Sequence, residues 1–153
     1  MASLLIRPPH RSELDDLSAL KIRSKAYWGY DADFMQACAE ELTLRPEHLT
    51  NSAVAVGELD GTPAGVARVS VTGQNADLLG LFIDPPFICT GIGQQLFCWC
   101  VTTARELAAT RMLIEADPGA AGFYERMGAR RIGSAPSESI PGRILPLLEF
   151  SLR

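Results

Sequence analysis

The stretch Leu81-Phe82-Ile83-Asp84-Pro85-Pro86-Phe87-Ile88-Cys89-Thr90-Gly91-Ile92-Gly93-Gln94-Gln95-Leu96 passes from an apolar strand through a proline-broken loop into a glycine-opened helix. Beyond Gly93, the residues Leu96, Phe97, Cys100, Val101, Ala104, Leu107 and Ala108 recur at helical spacing and mark the longest clear helix of the chain. Backbone N–H groups at a helix start lack internal partners and lie at the positive end of the macrodipole, and glycines let an anion approach the main chain. The segment therefore suits phosphate. On this segment alone a second reading stays open, in which Gly91 and Gly93 only permit a sharp turn and close packing.

Upstream, a strand is predicted near Ser3–Arg7. Ser12 with Asp15 then reads as a helix cap before the apolar stripe Leu14, Leu17, Ala19 and Leu20. A short helix is expected after Asp31. Residues 53–59 and 64–71 read as a hairpin turning at Asp60-Gly61, and Leu78–Ile83 extends the sheet. Downstream, Arg111–Ala116 reads as a buried strand and Ala120–Met127 as a short helix ending at Gly128. Arg130–Gly133 and Ile144–Leu152 read as closing strands. Strands that precede, interleave with and follow helices imply an α+β domain of three layers, α/β/α.

The chain has 153 residues, 47% hydrophobic and 21% charged, which fits one globular domain spanning residues 1–153. Fourteen basic and eighteen acidic side chains give a net charge of −4, which argues against nucleic acid as a partner. The apolar opening Met1–Ile6 is too short for a signal-peptide core, and no segment approaches a membrane span, so no membrane association is expected. Cys38, Cys89, Cys98 and Cys100 form no Cys-x-x-Cys pair and lie near no His at zinc spacing. They read as packing cysteines in a reducing, cytoplasmic compartment, and no metal is expected.

A second motif follows the next strand: Ala116-Asp117-Pro118-Gly119-Ala120-Ala121-Gly122-Phe123-Tyr124-Glu125-Arg126-Met127-Gly128. Together the two motifs resemble those of the GNAT superfamily, the acyl-coenzyme-A-dependent N-acyltransferases. The matching positions are Gly91, Gly93, Pro118, Ala120, Phe123, Tyr124, Glu125 and Gly128. The resemblance implies a mixed, mostly antiparallel twisted sheet whose central parallel pair, Leu78–Ile83 and Arg111–Ala116, splays apart to admit the cofactor. It implies that the main chain of Leu81, Phe82 and Ile83 pairs with the pantetheine arm. It also implies that the amides of Ile88, Cys89, Thr90, Gly91, Ile92, Gly93 and Gln94 hold the pyrophosphate, with Asp117, Ala120 and Phe123 completing the cofactor site. Strand addition is physically sensible, because an amide-rich arm satisfies otherwise orphaned donors and acceptors.

Three departures stand in the loop: Ile88 where Gln or Arg is usual in the family, Cys89 where Gly is frequent, and Thr90 where a basic residue is common. The loop carries no positive charge, so pyrophosphate recognition would rest on backbone amides, the helix dipole and the Thr90 hydroxyl. Affinity is then expected to depend modestly on salt. A steep dependence would point to Arg126, Arg130 or Arg131. Cys89 reads either as a redox-sensitive intrusion or as a tolerated small residue. Asp117 replaces the family's usual Asn and can accept a hydrogen bond from the cofactor arm but not donate one.

By the same resemblance Tyr124 is the candidate general acid that protonates the departing thiolate, against a reading of Phe123 and Tyr124 as aromatic anchors. No general base is evident. Glu115 and Asp84 flank the expected cleft as strand-end or turn carboxylates, and His10 and His48 read as surface histidines. The acceptor pocket is expected from Trp28 and Tyr30, which offer flat apolar area, and from Arg143, which can clamp a carboxylate. A hydrophobic lid on the sheet is the competing reading of the aromatics.

The implied activity is direct transfer of an acetyl group from acetyl-CoA to an amine of a small molecule or polypeptide, by a monomer or homodimer. The alternative is a non-catalytic acyl-CoA-binding or sensor module with the same fold.

Overall fold

Asp60 and Gly61 both take left-handed backbone angles, φ 52° and 81°, the geometry of the tight turn that joins two twisted antiparallel strands. The strands on either side are β2 (Ala53–Leu59) and β3 (Thr62–Thr72). With β1 (Leu4–Arg7), β4 (Asn75–Ile83), β5 (Arg111–Glu115), β6 (Arg130–Pro136) and β7 (Ile144–Ser151) they form one sheet in the order β1-β2-β3-β4-β5-β7-β6. The computed structural model describes residues 3–153. Met1 and Ala2, part of the opening apolar stretch, lie outside the described residues.

Helices α1 (Leu14–Ala26), α2 (Ala32–Leu42) and α3 (His48–Asn51) precede β2. Helix α4 (Ile92–Glu106) joins β4 to β5, and α5 (Ala121–Arg126) joins β5 to β6. The period-two alternation of the strands sorts their side chains onto two faces. Val54, Val56 and Val66 pack with Leu14, Leu17 and Leu20 of α1. Ala55, Ala67, Val69, Met112 and Ile114 pack with Leu96, Phe97 and Cys100 of α4. The three-layer α/β/α arrangement follows. Gly57 lets α4 approach, since a Cβ there would lie 2.9 Å from Ile92 Cδ1.

The element boundaries shift where side-chain pattern is a poor guide. Glu13, not Ser12, closes the start of α1: its Oε1 accepts from the His10 N–H at 2.7 Å, and a 3-10 turn at Arg11–Glu13 leads in. Asp31 caps α2 by accepting from the Phe34 N–H at 2.8 Å. The short α3 has no counterpart in the sequence reading, and His48 is half-buried there, its Nδ1 accepting from the Arg45 N–H. Strand β4 starts at Asn75 rather than Leu78, and those extra residues decide the topology.

All neighbouring strands are antiparallel except β4 and β5, which are parallel and paired only over Asn75–Asp77 and Arg111–Leu113. Opposite β3, Arg68 faces Gly80 and Val69 faces Leu78, so Leu79 is the extra residue of a β-bulge. Beyond it β4 and β5 diverge, which is the splay expected from the resemblance. No helix among the described residues is long and apolar enough to cross a membrane.

Candidate active site

The divergence of β4 from β5 opens a cleft of about 520 Å³. Its walls include Leu81, Phe82 and Ile83 of β4, Ile114 and Glu115 of β5, Phe123 and Tyr124 of α5, and the loop residues Ile88, Cys89 and Gly91. The Asp84 N–H donates to Ala64 O on β3 at 2.8 Å. Alternation then turns the main-chain groups of Leu81 and Ile83 the opposite way, into the splay. A strand edge without a neighbouring strand therefore faces the cleft.

At one end of the cleft the loop after β4 enters α4. Cys89 and Gly91 both have positive φ, 65° and 86°. Cys89 thus occupies a conformation suited to glycine, at the loop position where the family frequently has one. The amides of Cys89, Gly91, Ile92, Gly93 and Gln94 have no partner among the described residues, so several donors converge at the positive end of α4. Gly91, Gly93 and Gln94 line the cleft, whereas the Ile92 side chain is buried in the core. The Thr90 hydroxyl is committed within the loop, donating to Phe87 O at 2.6 Å. Arg126 also lines the cleft, whereas Arg130 is exposed and paired with Glu149.

Tyr124 is 7% exposed and lines the cleft. Its hydroxyl bonds to no described protein group, and among the described residues no fully buried polar side-chain atom lacks a partner, so the hydroxyl meets the cleft. Burial, with the nearby Cys100 and Asp117, pushes its pKa above the ordinary phenol value, so it stays protonated at physiological pH. Glu115 lines the same cleft without a hydrogen bond or ion pair among the described residues. Burial and then the charges of Glu138, Asp77 and Glu41 raise its pKa. Asp84, the other flanking carboxylate, is held by Arg23 through two bonds of 2.9 and 3.0 Å.

Of the expected acceptor residues, Trp28 lines the cleft, whereas Tyr30 and Arg143 lie beside it and converge on Asp117. Asp117 Oδ2 accepts from Tyr30 at 2.7 Å and from Lys25 at 3.3 Å, and Oδ1 accepts from the Gly119 N–H at 3.0 Å. Burial opposes ionisation of Asp117, but the Tyr30 hydroxyl, the Gly119 amide and Lys25 outweigh it and hold its pKa below the usual range. Burial first and then the Asp117 charge push Tyr30 up to about 12. Tyr27, in the expected acceptor segment around Trp28, also lines the cleft, whereas the sequence reading missed Lys25, Glu41 and Gly119, which line it too. Gly119 stands inside the quoted motif and carried a signal as a small residue at a turn. Glu41 carried none. Ala120 completes the wall beside Phe123. Lys21 is buried over the Phe82 ring at 5.1 Å, and burial lowers its pKa to about 8.

Among the described residues no group of His, Cys, Asp and Glu side chains is arranged to hold a metal ion. A family model described as the Acetyltransferase (GNAT) family matches residues 18–129. A search of curated proteins finds no match. Among solved structures, the chain is similar to the PaiA N-acetyltransferase from Thermoplasma acidophilum in complex with coenzyme A, at 16% identity and TM-score 0.78, covering 97% of this chain and 99% of that one. It is also similar to a GCN5-related N-acetyltransferase from Rhodopseudomonas palustris, at 19% identity and TM-score 0.81, covering 97% and 96%. A third is the ribosomal-protein-S18-alanine N-acetyltransferase from Escherichia coli, at 15% identity and TM-score 0.73, covering 98% and 94%. At these identities the likeness is one of fold.

Proposed function

Since the chain belongs to the acetyltransferase (GNAT) family, we propose that it transfers an acetyl group from acetyl-CoA directly to an amine of a small molecule or polypeptide. The observation that carries this reading is the meeting, in one cleft, of an unpaired β4 edge, the free amides at the start of α4 and the buried Tyr124 hydroxyl. The groups present suit coenzyme A. The main chain of Leu81 and Ile83 offers donors and acceptors to an amide-bearing arm, and the α4 amides with Arg126 offer donors and charge to a pyrophosphate.

Bound acetyl-CoA supplies the activated acyl group. The chain's own residues manage protons and position. Glu115, unpaired and with a raised pKa, takes the proton that the acceptor nitrogen sheds as its bond to the acyl carbon forms. Tyr124, still protonated, donates a hydrogen bond where the thiolate leaves. In balance, Tyr124 passes its proton to the departing sulfur and is reprotonated from solvent, while Glu115 releases the amine's proton to solvent. No cysteine need carry the acyl group: Cys38 and Cys100 are buried, and burial raises both thiol pKa values. Four free cysteines suit a reducing, cytoplasmic compartment, and one domain over residues 1–153, as a monomer or homodimer, is the working unit of this reading.

Incubation with acetyl-CoA and a panel of primary amines, read by mass spectrometry of the amines, tests the proposal. The expected result is an acetylated amine and no stable acetyl label on the denatured protein. Coenzyme A binding without product on any amine would favour the sensor reading, and stable label on a cysteine would overturn direct transfer.

A further inference from the structure

Three protein donors crowd Oδ2 of the Asp117 carboxylate and a fourth reaches Oδ1, which leaves one acceptor direction, on Oδ1. A carboxylate offers about four acceptor directions, and four donors reach this one: the Tyr30 hydroxyl at 2.7 Å, Lys25 Nζ at 3.3 Å, Arg143 Nη2 at 3.5 Å and the Gly119 N–H at 3.0 Å. The donors are ordered among themselves. Arg143 also donates to the Tyr30 hydroxyl at 2.7 Å, and the Tyr30 ring stacks on Phe34 with centroids 3.9 Å apart. The side chains of Asp117, Lys25 and Arg143 are 13%, 16% and 17% exposed, so water competes weakly for these bonds.

Tyr30 comes from the segment that links α1 to α2 and Lys25 from the last turn of α1 just before it, and Trp28 in that segment covers Gly119, two residues beyond Asp117. We infer that Asp117 is a positioning residue which clasps the Tyr27–Tyr30 segment against the turn after β5 and so fixes the Trp28 wall of the cleft, rather than binding the cofactor arm. The purpose of that wall, to shape the acceptor side, rests on the acyltransferase reading above. The clasp itself does not. The Asp in place of the family's Asn fits this role: a carboxylate pairs with two cations that an amide would leave without a counter-charge.

The test uses the full chain with Trp99→Phe, so that Trp28 is the sole fluorophore of its kind, and compares Asp117, Asp117→Asn and Tyr30→Phe. Acrylamide quenching of Trp28 is measured without ligand, and coenzyme A affinity by calorimetry. The clasp requires that both substitutions at least double the quenching constant while coenzyme A affinity stays within twofold. Tyr30→Phe removes one hydroxyl and keeps the ring stack, so it remains informative if Asp117→Asn does not fold. Unchanged quenching overturns the inference, as does an Asp117→Asn protein that changes its affinity for coenzyme A more than its quenching. If coenzyme A binds none of the proteins, the acyltransferase reading fails, while the quenching series still decides the clasp.

Discussion

The six-membered ring of Trp28 lies over the Cα of Gly119 so closely that a Cβ there would come within 2.9 Å of Trp28 Cε3. The indole is 47% exposed and has solvent to retreat into, so Gly119→Ala should displace the ring rather than unfold the protein. A stability loss below about 1 kcal/mol is expected in urea denaturation. Trp28 emission should shift to the red, and unchanged emission would show that the wall does not depend on this contact.

Thiol chemistry checks the loop. Cys89 and Cys98 are exposed and Cys38 and Cys100 are buried, so a thiol reagent should modify two cysteines in the native protein and all four after denaturation. Coenzyme A should slow modification of Cys89, at the start of α4, and leave Cys98 unaffected. Equal protection of both thiols would place the bound molecule elsewhere.

Tyr124→Phe should lower kcat by about 100-fold or more while coenzyme A affinity changes less than twofold, the range expected for a general acid. Because its pKa is raised, Tyr124 remains protonated as pH rises and contributes no alkaline limb near neutrality. Glu115 must be ionised to act, so activity should fall on acidification through a pKa above that of a free carboxylate. Glu138→Gln removes a repelling charge, which lowers the Glu115 pKa and should move that acidic limb to lower pH. An unmoved limb in the kcat/KM profile would remove Glu115 as the titrating base.

Acid stability should depend on Glu13. Its hydrogen bonds from Arg7, at 2.8 and 2.7 Å, are the main reason that its pKa falls to about 2. A carboxylate whose folded pKa is depressed adds stability above its unfolded value and loses it as pH falls through the folded one. Glu13→Gln should therefore cost stability at neutral pH and flatten the decline between about pH 4.5 and 2. Denaturant midpoints measured across that range supply the check.

Sequence pattern carried the layers well, because strand alternation and the stripes of α1 and α4 are local. The helix start at Gly91 and the short helix carrying Tyr124 were legible for the same reason. The bulge at Leu79 was not. Its neighbours Asn75 and Asp77 are polar, and the sign that they belong to a strand is their pairing with Arg111 and Leu113, more than thirty residues away. The clasp was hidden in the same way: Tyr30 and Asp117 are 87 residues apart, and nothing local tells a pocket tyrosine from one that secures a neighbouring turn. Glu41 reaches the cleft from the end of α2, where the buried Cys38 and Leu42 beside it mark an ordinary packing face and give no hint of a site.

The parallel pairing of β4 with β5 over only three residue pairs leaves β1–β4 and β5–β7 joined like two boards by a short seam. Such a seam concentrates shear. A guest strand bridging the open length would act as a splint, so ligand should slow hydrogen exchange at Leu81 and Ile83, on the side of the gap away from β5, and also at the far end of the seam, at Arg111. One inserted residue, Leu79, thus makes the sheet's mechanical continuity conditional on what it binds.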